Sequence, residues 1–172
     1  MALYVEKFLN QVEYDQLNAS LLKNEKSCFR DTTLLWMLLH TGARVSEVLA
    51  IRPRDFIPDG KRVHIIGLKN SNPREMPLTP FLYERMQTLA EGVDADSKIF
   101  KFGYFRAREI WNWWRPAPKK IHSLRHYRAQ EIYKRTKDVR LVQKVLGHRY
   151  LSTTLIYLDY EYTADELRRA MI

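Results

Sequence analysis

A single cysteine in 172 residues, Cys28, excludes an internal disulfide. Long apolar runs are missing too. The longest, Thr32 to His40, suits a buried helix and is too short to cross a bilayer. Met1 to Asn10 carries charges and lacks the basic-then-apolar order of a signal peptide. These absences lead us to expect a soluble cytoplasmic protein with no membrane association. Clustered carboxylates and Cys/His spacings suited to a metal are also lacking, so we expect neither a metal ion nor another cofactor. Acidic residues are in deficit, at 20 against 29 lysines and arginines, for a formal charge of +9. The deficit is local: from Arg106 to Arg149 the acids are Glu109, Glu131 and Asp138 alone. A positive field of that kind captures phosphate polyanions, although a solvated basic face has the same composition.

Hydrophobic residues make up 45% of the chain, enough for one domain with its own core. Asn10 followed by Glu13 forms a capping-box pattern, and Val12, Leu17, Leu21 and Leu22 predict an amphipathic helix to about Leu22. Leu34, Leu35, Leu38 and Leu39 predict a second helix ending at Thr41-Gly42, with a short one over Val45 to Ala50 before Pro53. The middle changes character. Asp59-Gly60, the β-branched run Arg62 to Ile66, the turn Asn70 to Pro73 and Arg74 to Leu78 predict an antiparallel hairpin or three-stranded sheet. Helices then follow from Thr79-Pro80, over Tyr104 to Trp114, Ser123 to Arg135, Val139 to Leu146, Ser152 to Leu158 and Ala164 to Met171. We assign Trp111, Trp113 and Trp114 to the core rather than to a base-stacking platform. The predicted fold class is mainly α with a small antiparallel β-sheet, an α+β domain.

Three segments carry groups able to handle a phosphate. In Thr41-Gly42-Ala43-Arg44-Val45-Ser46-Glu47, Arg44 and Glu47 share a face at a helix start, which by itself describes an ordinary surface ion pair. In His122-Ser123-Leu124-Arg125-His126, a guanidinium and an imidazole lie on one side of a helix start. There, either His122 caps the helix and Arg125 faces water, or both meet a ligand. Leu146-Gly147-His148 ends a helix, and Tyr157 follows after Ser152-Thr153-Thr154. Among ten tyrosines, Tyr150, Tyr160 and Tyr162 compete with Tyr157 on spacing alone.

Taken in order, Thr-Gly-x-Arg-x-Ser-Glu, a hairpin bearing Lys69, His-x-Leu-Arg-His, and Leu-Gly-His followed by Thr-Thr-x-x-Tyr resemble the signature of the tyrosine recombinase (phage integrase) family, over about Phe8 to Tyr160. The resemblance implies the fold of that family's catalytic domain and its chemistry: DNA strand cleavage and rejoining through a 3′-phosphotyrosyl link, in integration, excision or inversion of DNA by a mobile element. It implies that Arg44, Arg125 and His148 hold the scissile phosphate and that Tyr157 is the nucleophile. Lys69 would protonate the departing 5′-oxygen, His122 would be the acid-base partner of Tyr157, and Glu47 would support the framework. A phenol ionises near pH ~10, so attack at neutral pH needs a base or a cationic site. Family members often carry Gly-Lys-Gly-x-Lys at the hairpin, where this chain reads Gly67-Leu68-Lys69-Asn70-Ser71.

The resemblance also implies partners. Double-stranded DNA is the first, with Arg128 and Lys134 entering or flanking a groove. Self-assembly on DNA, from dimer to tetramer, would use the C-terminal helix with its Leu167, Ala170 and Met171 stripe, and accessory proteins would set direction. Residues 1–172 read as the catalytic domain, with the family's N-terminal core-binding domain absent, and half a clamp predicts weak, salt-sensitive DNA binding. The competing readings are type IB topoisomerase-like relaxation, a catalytically idle DNA-binding regulator, and a basic scaffold for RNA.

Overall fold

The computed structural model describes residues 8–68, 71–157, 168, 169 and 171. Helix α1, Gln11–Lys23, starts at the expected capping box: the Asn10 side chain accepts from Glu13 N–H, and the Glu13 carboxylate accepts from Asn10 N–H, both at 2.8 Å. Helix α2, Phe29–Thr41, is the central element, buried along nearly its whole length. Gly42 ends it in the left-handed conformation at φ +61°. A side chain there would press on Leu146 and Arg128, so α2 ends in close contact with two later helices. Helix α3, Val45–Val48, follows at once, and a short 3-10 turn at Pro53–Asp55 leads into the sheet.

Strands β1 (Phe56–Ile57), β2 (Arg62–Ile65) and β3 (Arg74–Pro77) form an antiparallel sheet in the order β1-β2-β3. Pairing Val63 with Met76 and Ile65 with Arg74 puts Val63, Ile65, Arg74 and Met76 on the covered side. An arginine therefore occupies a position that strand alternation reserves for an apolar side chain.

Helix α4, Pro80–Ala90, begins with Thr79 as N-cap and proline in its first turn. Helix α5, Tyr104–Trp114, buries Ala107, Ile110 and Trp111 and packs Trp114 partly against the core. Trp113 falls on the opposite face and is 84% exposed, which corrects its assignment to the core. The stripe 107, 110, 111, 114 has helical spacing, and position 113 lies outside it.

Helices α6 (Ser123–Thr136), α7 (Val139–Leu146) and α8 (Leu151–Leu155) complete the described fold. Ala129, Ile132, Val142 and Leu146 form a small second core, which also takes in the ring of Tyr157. The mainly helical α+β architecture is as expected. The expected last helix lies largely outside the described residues, as do Lys69, Leu167 and Ala170.

Gly147 closes α7 at φ +72°, and His148 N–H returns to Gln143 O at 3.0 Å, a Schellman closure. A Cβ on Gly147 would lie 2.6 Å from Arg74 Nη1, 2.8 Å from Ser71 Oγ and 2.9 Å from Asn72 O. Gly147→Ala should therefore cost about 2 kcal/mol or more in urea unfolding, from left-handed strain and from parting the hairpin from this turn. Wild-type stability in this variant would mean that the turn can move away from the hairpin freely.

Candidate active site

Four elements converge on one pocket. The α2–α3 junction supplies Arg44, whose side chain is 23% exposed. Glu47, one turn further on and fully buried, accepts from Arg44 N–H at 3.0 Å and from Arg44 Nη1 at 3.2 Å. This is not the surface ion pair that the spacing alone described. Burial raises the Glu47 carboxyl, but Arg74 and the hydrogen bonds to Arg44 and Arg74 outweigh it and hold the group below its ordinary value.

The start of α6 supplies His122 and Arg125. Arg125 is buried, donating from Nη1 to Gly42 O at 2.6 Å and from Nη2 to Leu146 O at 2.9 Å. Burial lowers its pKa to about 10, so it remains a cation at neutral pH. Its second Nη2 contact is His148 Nε2 at 2.7 Å. Since a guanidinium only donates, Nε2 accepts, and the His148 proton sits on Nδ1, which donates to Thr154 Oγ1 at 3.0 Å. Arg125 thus sets the tautomer of His148, and the buried Thr154, second threonine of the Thr-Thr-x-x-Tyr motif, accepts the proton that this leaves on Nδ1.

Tyr157 lies in the same chain and the same pocket. Its hydroxyl is 2.7 Å from His122 Nε2. Its ring stacks on His126 at 4.1 Å between centroids, tilts against His148 at 4.9 Å, and lies 5.7 Å below the Arg125 guanidinium. The pocket therefore gathers Arg44, Glu47, His122, Arg125, His148 and Tyr157, six of the residues that the motif order singled out. Of the competing tyrosines, Tyr150 is exposed, and Tyr160 and Tyr162 lie outside the described residues.

Two other expected residues stand apart. Lys134 is exposed near the far end of α6, about 18 Å along the helix from His122. Arg128 is half-buried beneath Gly42 and lines a cavity of about 260 Å³ with Tyr14, Trp36, His40, Tyr127 and Glu131. A different groove, of about 660 Å³, opens beside His122 between α5 and the α5–α6 loop, with Arg108, Arg115, Lys119 and Lys120 in its walls. The local basic surplus from Arg106 to Arg149 includes these four residues, although Arg128 and Lys134 were the ones expected at a groove.

Both pocket histidines are neutral at pH 7. Desolvation on the side facing the pocket, and then the charges of Arg125 and Arg44, push His122, whose outer side is exposed, down to about 4; the same causes, with Arg74, push the buried His148 to about 3. A histidine whose folded pKa lies below its unfolded value stabilises the fold above the unfolded pKa, near 6.5, and that stability drains away as pH falls towards the folded value. His40, lowered chiefly by burial, and Glu47 act in the same sense. The urea midpoint should therefore be level above pH ~7 and fall continuously from about pH 6.5 to pH 4. A midpoint unchanged between pH 7.5 and 5 would contradict this electrostatic picture.

Comparison with known proteins decides the family. Residues 7–163 match the phage integrase family along almost the whole chain. The chain belongs to that family. Among curated relatives, a tyrosine recombinase of Thermosipho africanus is 28% identical over 177 residues, covering 94% of this chain and 59% of its own length. Tyrosine recombinase XerA of Pyrococcus furiosus is 30% identical, covering 85% of this chain and 55% of its own. The chain thus spans a little over half the length of these phage integrase family relatives. Among solved structures, XerH recombinase bound to its difH substrate in a pre-cleavage complex superposes with a TM-score of 0.73 at 26% identity, over 99% of this chain and 56% of that one. The catalytic domain of bacteriophage HP1 integrase shares the fold with a TM-score of 0.67 at 20% identity, over 96% and 93% of the two chains.

Proposed function

We propose that this chain is the catalytic part of a site-specific DNA recombinase, cutting and rejoining duplex DNA by transesterification at Tyr157. The observation that carries the reading is the 2.7 Å contact between Tyr157 Oη and His122 Nε2, inside a pocket that also holds Arg44, Arg125 and His148. With its proton on Nδ1, neutral His122 accepts the phenol hydrogen as Oη attacks phosphorus. The bond from phosphorus to the 5′-oxygen breaks, leaving a 3′-phosphotyrosine, and the leaving oxygen takes a proton from Lys69. Reversal by a 5′-hydroxyl from another strand completes the exchange. Because one ester replaces another, bond energy is conserved and no nucleotide is consumed.

Charge is what the pocket contributes. A phosphodiester carries one negative charge, and its pentacoordinate transition state carries two. Arg44 offers a partly exposed guanidinium to the oxygens, while Arg125 acts from beneath as a buried charge. Cations fixed in a low-dielectric site stabilise charge that develops during reaction far better than water does. A phosphate beside His148 would favour its protonated form and so raise its pKa from about 3.

Duplex DNA is the partner this reading requires, and the groove lined by Arg108, Arg115 and Lys120 suits the backbone flanking the scissile phosphate. Protomers would assemble on DNA through the segment after Tyr157, with accessory proteins biasing direction. No helix among the described residues is long and apolar enough to cross a membrane.

The test is incubation with supercoiled plasmid in EDTA, an SDS quench, and mapping of the adduct on both protein and DNA. A nucleotide-bearing peptide modified at Tyr157 is expected. If neither plasmid nor a nicked suicide duplex carrying the source element's ends gives an adduct, the chain binds DNA without cutting it.

A further inference from the structure

Arg74 is a charge in a strand position built for an apolar residue, and the scheme above gives it no task. Its side chain is 5% exposed, alternating with Met76 on the covered side of β3. The guanidinium joins three parts of the fold: Nη2 donates to Glu47 Oε2 at 3.0 Å, Nε to Val145 O at 2.6 Å, and Nη1 more weakly to Asn72 O at 3.4 Å. Around it, Asn72 N–H and Ser71 Oγ both donate to Gly147 O, at 2.8 and 3.0 Å, and Ser71 pairs with His148 as an isolated bridge. The hairpin and the turn that carries His148 are thus sewn together at Arg74.

Glu47 has one negative charge and two guanidinium partners. Its Oε1 accepts from Arg44 Nη1 at 3.2 Å, and its Oε2 accepts from Arg74 Nη2 at 3.0 Å. The Arg74 pair is fully desolvated, whereas Arg44 is partly in water, so the carboxylate is held more strongly by Arg74. Without Arg74, an uncompensated buried carboxylate would have Arg44 as its nearest cation and would draw that guanidinium inward.

We infer that Arg74 is a positioning residue for the strand-transfer chemistry: it takes up the charge of Glu47 so that Arg44 stays available to the DNA phosphate, and it holds the end of α7 that presents His148. The inference rests on the recombinase reading. It concerns phosphate activation, not protonation of the leaving group.

The measurement is single-turnover cleavage of a synthetic nicked duplex spanning a junction at which the wild-type protein forms its plasmid adduct. One version carries the ordinary scissile phosphate, and the other a methylphosphonate, which has no negative charge and makes less demand on a free Arg44. The ratio of the two rates is read on one protein sample, so it does not depend on what fraction of a variant is folded. For Arg74→Gln, cleavage of the phosphate should fall about thirtyfold or more, and the methylphosphonate-to-phosphate ratio should rise about tenfold. Adding Glu47→Gln should recover part of the loss, because the carboxylate that captures Arg44 is gone. Arg74→Lys, which keeps the charge, should lie between wild type and Arg74→Gln. An unchanged ratio, or losses that simply add in the double variant, would overturn this inference alone. A wild-type protein that cleaves neither substrate would overturn the recombinase reading and this inference with it.

Discussion

Tyr157→Phe protein should form no SDS-stable adduct with DNA, a loss of roughly 10⁴-fold or more, while folding and binding DNA as the wild type does. The hydroxyl is the only group removed. Its hydrogen bond to His122 is worth about 1 kcal/mol net at a partly exposed site, a minor fraction of a domain's stability. Everything else that holds the ring is kept by phenylalanine: the stack on His126, the tilted contact with His148, the Arg125 guanidinium above it, and its place in the second core beside Ile132 and Leu146. The variant therefore separates chemistry from architecture. Urea unfolding should move by no more than about 1 kcal/mol, and electrophoretic retention of DNA should be unchanged. An adduct persisting in this variant would transfer the nucleophile to another tyrosine, with Tyr150 the exposed neighbour to examine first.

Much of this pocket was legible in the sequence because local chemistry and motif order agree. Asn10 with Glu13, Thr79 before Pro80, and Asp138 before Val139 each announce a helix start with a side chain that satisfies free N–H groups, and all three act as caps here. Tyr157 differed from nine other tyrosines by its distance from Leu146-Gly147-His148, not by any property of its own. Strand β1, two residues long, has no periodicity to read. Arg74 was illegible for another reason. Its partners lie 27 and 71 residues away in sequence, and its burial depends on the register of β3 against β2. A signal did exist: Arg74 alternates with Met76 on what proves to be the covered side of the strand, where a charge needs a buried partner. Trp113 could also have been placed correctly, since Trp111, Trp113 and Trp114 cannot all share the stripe that Ala107 and Ile110 define. Lys69 lies outside the described residues, and its role as general acid rests on the resemblance.

Arg125→Lys should lower strand cleavage about a thousandfold and also destabilise the fold, a pairing of effects that Tyr157→Phe will not show. Lysine keeps the charge but not the fork. Arg125 Nη1 reaches Gly42 O at the end of α2, and Nη2 reaches both Leu146 O at the end of α7 and His148 Nε2, so a single planar group closes two helix C-termini and orients an imidazole. An ammonium at one point can meet only part of that geometry. The carbonyl or imidazole nitrogen left without a partner is buried, at a cost of about 1–3 kcal/mol for each unsatisfied group. Arg125→Ala, which also removes the cation over the Tyr157 ring, should cost about 3–5 kcal/mol and leave cleavage undetectable. The two effects are told apart by normalising single-turnover rates to the folded fraction. If Arg125→Lys then cleaves within tenfold of wild type, the guanidinium serves only to close the helix ends, and phosphate stabilisation passes to Arg44 and His148.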